Sequence, residues 1–356
     1  MPPDSATAAH YGLPSMSIHF AVAFSALTFL AAAFTACASP IAARPTWAIA
    51  IHGGAGTLER SASTEQQQEH RVALERALQV GRERLMRGES AVEVVEAVVR
   101  VLEDDPHFNA GKGAVFNEKG EHELDASIMD GSTMACGAVA GVRTVKNPVS
   151  LARLVMEKTR HVLLMGDGAE QFATLVGVER VENTWFDTDY RRKVLEEVLN
   201  ERKLKGSALG DARVAPRDPR HDYGTVGCVV RDQNGRLAAA TSTGGLTGKR
   251  WGRVGDAPIV GAGNYADSIV AVSGTGTGEQ FIRHTVARSI GARVQFGGQS
   301  LDEAANAVVH GVLKPDDGGI IAVDRDGNLV AAYNSTGMYR GLADSNGRFE
   351  VAIFEK

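Results

Sequence analysis

The sequence predicts an α+β fold in which antiparallel sheets are covered by helices, and three observations predict it. Strand-like runs come in hairpins closed by Asn234-Gly235 and Asp326-Gly327, the short turns that join antiparallel neighbours. Helical runs come in pairs instead of alternating with single strands, which disfavours a parallel βαβ wind. The composition, 356 residues with 44% hydrophobic, 23% charged and 40 glycines, is that of a globular chain with material for a sizeable core.

The chain opens on a stretch that is not fold material. Residues 1–43 hold no Lys or Arg, and Ile18 to Ala36 is almost continuously apolar and small. A secretory signal over residues 1–38 is the natural reading, with Met16 as an alternative start, Phe20 to Phe34 as the apolar region, and Ala36-Cys37-Ala38 before Ser39 as the cleavage site. It implies export, to the periplasm in a bacterium. The alternatives are a non-functional leader on a cytoplasmic protein and lipidation at Cys37. As a permanent span the stretch is marginal, because a membrane helix needs about 20 apolar residues.

Trp47 to Ile51 reads as a strand running into a glycine-rich turn, His52-Gly53-Gly54-Ala55-Gly56. From Thr64 to Arg87 the spacing predicts a helix with one buried face (Val72, Leu74, Ala77, Leu78, Leu85), stopped by Gly88. Ser90 with Glu93 makes a capping box for a second helix, whose inward stripe is Val94, Val95, Val98, Val99 and Leu102. Strand-like stretches then run through Val142, and helical patterns recur around Leu151 to Lys158 and Tyr190 to Lys203. Residues 201–224 are charged, with Gly, Pro and Ser, and read as a flexible linker. Two hairpins follow: Val226 to Arg231 with Leu237 to Thr241, and Ile320 to Val323 with Leu329 to Tyr333. Between them Ile269 to Val272, a Gly-Thr-rich turn, and Glu279 to Ile290 read as strand, loop and helix.

Charge and cysteine content narrow the function. A net charge of −5 with no long basic run gives nucleic-acid binding no support, so the partner is a small molecule or peptide. Beyond Cys37 only Cys136 and Cys228 remain, both in apolar contexts, without disulfide or zinc spacing. Gly274-Thr275-Gly276-Thr277-Gly278 before a helix suggests a phosphate loop, but it is neither G-x-G-x-x-G nor a P-loop and no Lys follows.

The linker ends abruptly on Tyr223-Gly224-Thr225-Val226-Gly227. A cut between Gly224 and Thr225 would put a hydroxyl nucleophile and a free α-amine on one residue. An α-amine has an unperturbed pKa of roughly 7.7 to 8.0 and serves as a base near neutrality, so no separate histidine is needed. The alternative is a glycine at an ordinary strand entry.

Further motifs follow in order: Thr241-Ser242-Thr243-Gly244-Gly245, Gly252-Arg253-Val254-Gly255-Asp256, Gly261-Ala262-Gly263 and Gly274-Thr275-Gly276-Thr277-Gly278. With Ile51-His52-Gly53-Gly54-Ala55-Gly56 and Phe108-Asn109-Ala110-Gly111-Lys112-Gly113, the chain from Trp47 to its end resembles the plant-type L-asparaginase and isoaspartyl peptidase family of N-terminal nucleophile hydrolases. The glycosylasparaginase branch has Thr-Ile-Gly after a His-Asp pair, where this chain has His221-Asp222-Tyr223-Gly224-Thr225-Val226-Gly227.

The resemblance implies a four-layer αββα sandwich, self-cleaved into residues 39–224 and 225–356 that stay intertwined and dimerise. It implies hydrolysis of L-asparagine and β-aspartyl dipeptides to L-aspartate without any cofactor in the chemistry. Thr225 would be the nucleophile in both cleavage and turnover, with Thr243 beside it. Arg253 and Asp256 would hold the α-carboxylate and α-ammonium of the aspartyl group. Thr275 and Gly276 would form the oxyanion hole, and Gly278 would lie against the substrate. Asn109 would polarise the bond to be cut, or serve as a plain turn residue. Leu102, Glu103, Asp105, Phe108, Ala110 and Lys112 resemble a loop that wraps a structural sodium with backbone carbonyls.

Overall fold

The computed structural model describes residues 44–56, 63–205 and 224–354. The leader with Cys37, and the linker beyond residue 205, lie outside the described residues. Among those described, no helix is long and apolar enough to cross a membrane.

The chain builds two sheets. In order along it come β1 (Ala48–Ala55), α1 (Thr64–Met86), α2 (Ala91–Glu103), β2 (Leu124–Asp130), β3 (Cys136–Val142), α3 (Pro148–Lys158), β4 (Leu163–Met165), α4 (Gly166–Val176) and α5 (Asp189–Lys205). Then follow β5 (Val226–Arg231), β6 (Leu237–Thr243), β7 (Asn264–Ala266), β8 (Val270–Gly276), α6 (Gly278–His284), α7 (Val286–Gln295) and α8 (Leu301–Val309). The chain closes with β9 (Gly318–Asp324), β10 (Leu329–Tyr333), β11 (Met338–Asp344) and β12 (Phe349–Ala352). The larger sheet has the order β12-β11-β1-β5-β6-β2-β3-β4 and the smaller β10-β9-β8-β7. Every pairing is antiparallel except β3 with β4.

Alternation along the strands sorts side chains between the layers. In β1, Ile49 and Ile51 join a core with Leu74 and Leu78 of α1 and Val95 and Val98 of α2. Ala48 and Ala50 face the other way, into a second core with Val272, Ile320 and Ala322 of the small sheet and Ile290 and Val308 of α7 and α8. Side chains two apart share a face of a strand, so one short sequence supplies both cores. In β1 the small residues Ala48 and Ala50 lie on the face between the sheets, which lets the two sheets approach there. Helices therefore cover both outer faces. The capping box predicted for α2 is present, with Ser90 Oγ accepting from the Glu93 N–H and Glu93 accepting from the Ser90 N–H.

Four boundaries differ from expectation, each for a physical reason. The glycines after His52 are not a turn: β1 continues through them to Ala55, with a register irregularity between His52 and Gly54 absorbing the extra residue. Likewise Gly274, Thr275 and Gly276 are part of β8, because β9 supplies a partner for each. The helix expected from Glu279 to Ile290 is two helices, divided at Thr285, whose φ of 43° cannot continue an α-helix. The start of the expected linker is helical, since α5 runs to Lys205. Cys136 and Cys228 are both free thiols, the second buried.

Candidate active site

The site gathers at the mouth between the two sheets, and strand register dictates which residues meet. His52, Gly227 and Thr241 are direct neighbours across β1, β5 and β6. Val226 pairs with Ser242, and continuing that register by one residue sets Thr225 beside Thr243. The two hydroxyl oxygens are 3.0 Å apart. Thr243 Oγ1 also accepts the Gly245 N–H at 3.0 Å, so its hydroxyl is held toward Thr225 Oγ1. Ser242, on the opposite face, turns away and donates to Glu103 of α2.

Gly227 has no side chain, and two others occupy the space above it. A Cβ there would lie 2.0 Å from Ser273 Oγ and 2.3 Å from His52 Nε2. His52 is fully buried, and burial lowers its pKa to about 3, so the ring is neutral. A carbonyl only accepts, so Nδ1 carries the proton and donates to the Thr225 carbonyl oxygen at 3.0 Å. Nε2 is then an acceptor for the Ser273 hydroxyl at 2.9 Å. Ser273 in turn lies 2.7 Å from Thr241 Oγ1, which reaches the Gly263 carbonyl at 3.0 Å. This buried chain pins the backbone of Thr225 from below. Gly227→Ala is expected to displace His52 and Ser273, costing about 1–3 kcal/mol of stability by overpacking and slowing any reaction that needs Thr225 held. Thermal unfolding, and intact mass against time, check both parts.

Thr225 is preceded by Gly224, whose carbonyl accepts the backbone N–H of Asn109 at 2.9 Å. The side chain expected to polarise this bond is employed elsewhere. Asn109 Nδ2 donates to the Gly245 carbonyl at 2.8 Å and Oδ1 accepts the Val115 N–H at 3.0 Å. Asn109 thus braces the Gly244-Gly245 turn with its amide and touches Gly224 through its backbone.

Beyond Thr243 a charged group is buried. Arg253 and Asp256 come together, but Arg253 pairs with Glu279, the first acidic residue of α6, through Nε and Nη2 at 3.0 Å each. Asp256 is buried, its Oδ2 having no hydrogen-bond partner among the described residues. Burial raises its pKa to about 7, against an opposing pull from Arg253. Gly278 sits where both side chains converge: a Cβ there would be 2.7 Å from Arg253 Nη2 and 2.9 Å from Asp256 Oδ1. Thr275 Oγ1 is likewise buried and without a partner among the described residues, and it is followed by Gly276 at the end of β8. The unpartnered Asp256 oxygen and the unpartnered Thr275 hydroxyl are each hydrogen-bonding capacity that a ligand could satisfy, since leaving such groups unpaired is costly.

The remaining predicted residues form the turn after α2. Leu102 and Glu103 end that helix, Asp105, Phe108 and Ala110 follow, and Lys112 lies in the 3-10 turn Gly111–Gly113. Their polar side chains point to protein partners: Glu103 to Ser242 and the Val149 N–H, Asp105 to Arg76, Lys112 to the Trp185 carbonyl. Burial lifts the Glu103 carboxyl to about 8. Among the described residues no three His, Cys, Asp or Glu side chains are grouped to hold a metal, and Glu103 Oε2 is buried without a hydrogen-bond partner.

His52, Thr241, Ser273 and Glu279 were not singled out for a role from the sequence. His52 lies inside the glycine-rich motif that follows the first strand, and Glu279 lies at a helix start. A register count from His52 to Gly227 to Thr241 would have found the first two, but Ser273 comes from the other sheet.

Comparison with known proteins adds a consistent picture. The family model described as Asparaginase matches residues 45–353. A probable isoaspartyl peptidase/L-asparaginase 2 of Arabidopsis thaliana is 45% identical over 87% of this chain and 99% of its own. The isoaspartyl peptidase of Escherichia coli K12 is 50% identical over 82% of this chain and 91% of its own. An isoaspartyl peptidase/L-asparaginase of Homo sapiens is 42% identical over the same shares.

Proposed function

The chain belongs to the asparaginase family, and from that premise we propose that it is a self-cleaving threonine hydrolase releasing L-aspartate from L-asparagine and β-aspartyl dipeptides. The observation that carries this reading is the 3.0 Å contact between the hydroxyls of Thr225 and Thr243, one residue after a glycine whose carbonyl is already hydrogen-bonded.

In the first reaction Thr225 Oγ1 attacks the Gly224 carbonyl carbon, the amide nitrogen takes the hydroxyl proton, and the resulting ester is hydrolysed. The Asn109 N–H offers a preset donor to the oxygen that becomes negative. Cleavage frees the Thr225 α-amine as the base for turnover. The same hydroxyl then attacks the side-chain amide of the substrate, the α-amine taking its proton and passing it to the leaving nitrogen, so that ammonia or the departing amino acid is released and the aspartyl group stays as an ester on Thr225 Oγ1; the α-carboxylate of that group is gripped by Arg253 and its α-ammonium meets Asp256. Thr275 Oγ1 and the Gly276 N–H serve the second oxyanion. The aspartyl ester is hydrolysed and L-aspartate leaves. His52 is a positioning residue, holding the Thr225 carbonyl.

The test is intact mass of fresh protein: two fragments, the smaller beginning at Thr225, support the reading, and a chain left whole through long incubation at neutral pH would sink it. Three parts of the reading carry their own checks. A sodium ion held by backbone carbonyls of the 102–112 turn predicts a higher Tm in sodium chloride than in tetramethylammonium chloride at equal ionic strength. Pairing of cleaved units predicts a dimer mass in solution. Export predicts a mature N-terminus at Ser39.

A further inference from the structure

The reading above assigns partners to the aspartyl half of the substrate and none to the group that leaves. An isoaspartyl dipeptide differs from asparagine only in what its amide nitrogen carries, a Cα with an α-carboxylate two bonds away. Arg253 and Asp256 claim the aspartyl half on one side of Thr225. The other side is where Gly224 lies in the intact chain.

Arg191 of α5 stands there. It is 6% exposed, and its Nε donates to the Gly113 carbonyl at 2.9 Å. Its Nη2 would be 3.4 Å from a Cβ on Gly224, next to Asn109. Its guanidinium lies 5.4 Å from the Tyr190 ring, and among the described residues it forms no ion pair with any carboxylate. Burial pulls its pKa down, and the groups acting upward are Tyr190 and Tyr339 rather than an acid. Placing a guanidinium out of water costs several kcal/mol unless an anion meets it, and the planar fork of Arg fits a carboxylate with two bonds. Lys112 and Arg192, the neighbouring cations, are instead committed to the Trp185 carbonyl and to Asp187.

We propose that Arg191 is a specificity-determining residue that binds the α-carboxylate of the departing amino acid of an isoaspartyl dipeptide, in the space Gly224 vacates once the chain is cut. This rests on the hydrolase reading above. Asparagine, whose leaving group is ammonia, gains nothing from this contact, so Arg191 favours peptides over asparagine.

The experiment uses the self-cleaved full chain and compares kcat/KM for β-aspartyl-leucine with that for the same dipeptide amidated at its C-terminus. The wild type is expected to prefer the free acid roughly 10- to 100-fold, the range of a hydrogen bond to a charged group. Arg191→Gln is expected to bring that ratio to near one, and Arg191→Lys to keep part of it. Equal rates on acid and amide in the wild type overturn the inference without needing any variant, as does a ratio that survives in Arg191→Gln. A cleaved wild type that hydrolyses neither dipeptide nor L-asparagine would instead remove the hydrolase reading itself.

Discussion

Thr225→Ala is expected to leave the chain whole and to abolish turnover. The substitution removes the only hydroxyl that register places against Thr243 at 3.0 Å, while the buried His52 to Thr225 carbonyl bond, which is made to the backbone, remains. Loss of a nucleophile from a cooperating set costs roughly a millionfold in kcat, which in practice reads as zero. Intact mass shows one band where the wild type shows two, and ammonia release from L-asparagine falls to background. Thr225→Ser retains the hydroxyl and should still cleave. A Thr225→Ala preparation that splits at the same bond would show that the cut is made by another protein.

Asp256→Asn is expected to weaken L-aspartate binding and, more tellingly, to change how binding depends on pH. In the free protein burial holds the Asp256 carboxyl near 7, so below that pH it is protonated and presents no charge to an α-ammonium. L-aspartate should therefore bind more tightly as pH rises through about 7, with that limb absent from the variant. Affinity at pH 8 should fall roughly 30-fold or more, the lower end for truncating a buried charge partner. The stability sign is opposite. A carboxyl whose pKa rises from 3.8 to about 7 on folding binds more protons folded than unfolded in that window, so its contribution is full below 3.8 and is lost as pH rises through about 7. Calorimetric titration with L-aspartate, beside Tm against pH, reads both signs. An affinity slope unchanged in Asp256→Asn would assign the titration to another group.

Much of the site was legible because its residues announce themselves locally. The Gly224-Thr225 junction stands where a charged stretch meets an apolar strand, and Arg253 and Asp256 sit three apart around a glycine. The α2 capping box and stripe follow from spacing alone. In each case the neighbouring residues decide the outcome, through side-chain period or the need to satisfy a helix end. Asn109 was legible as a participant, but not in its manner of contact.

Tertiary structure decided whatever depended on a partner distant in sequence. The glycines after His52 and around Thr275 read as turns because nothing nearby pairs them; β11 pairs Arg340 with His52 and Tyr339 with Gly54, and β9 pairs Gly319 with Thr275 and Gly318 with Gly276, all from far along the chain.

 Ser273 reaches His52 from the other sheet, and Glu279 reaches Arg253 from the next helix. Arg191 meets Gly224 only because α5 folds back over the Gly224-Thr225 junction. The sequence by itself determined the periodic elements, the capping box of α2 and the residue proposed here as the nucleophile. Which groups surround that nucleophile was left to sheet register and layer packing, because a local pattern encodes which face a side chain takes but not what will be packed against that face.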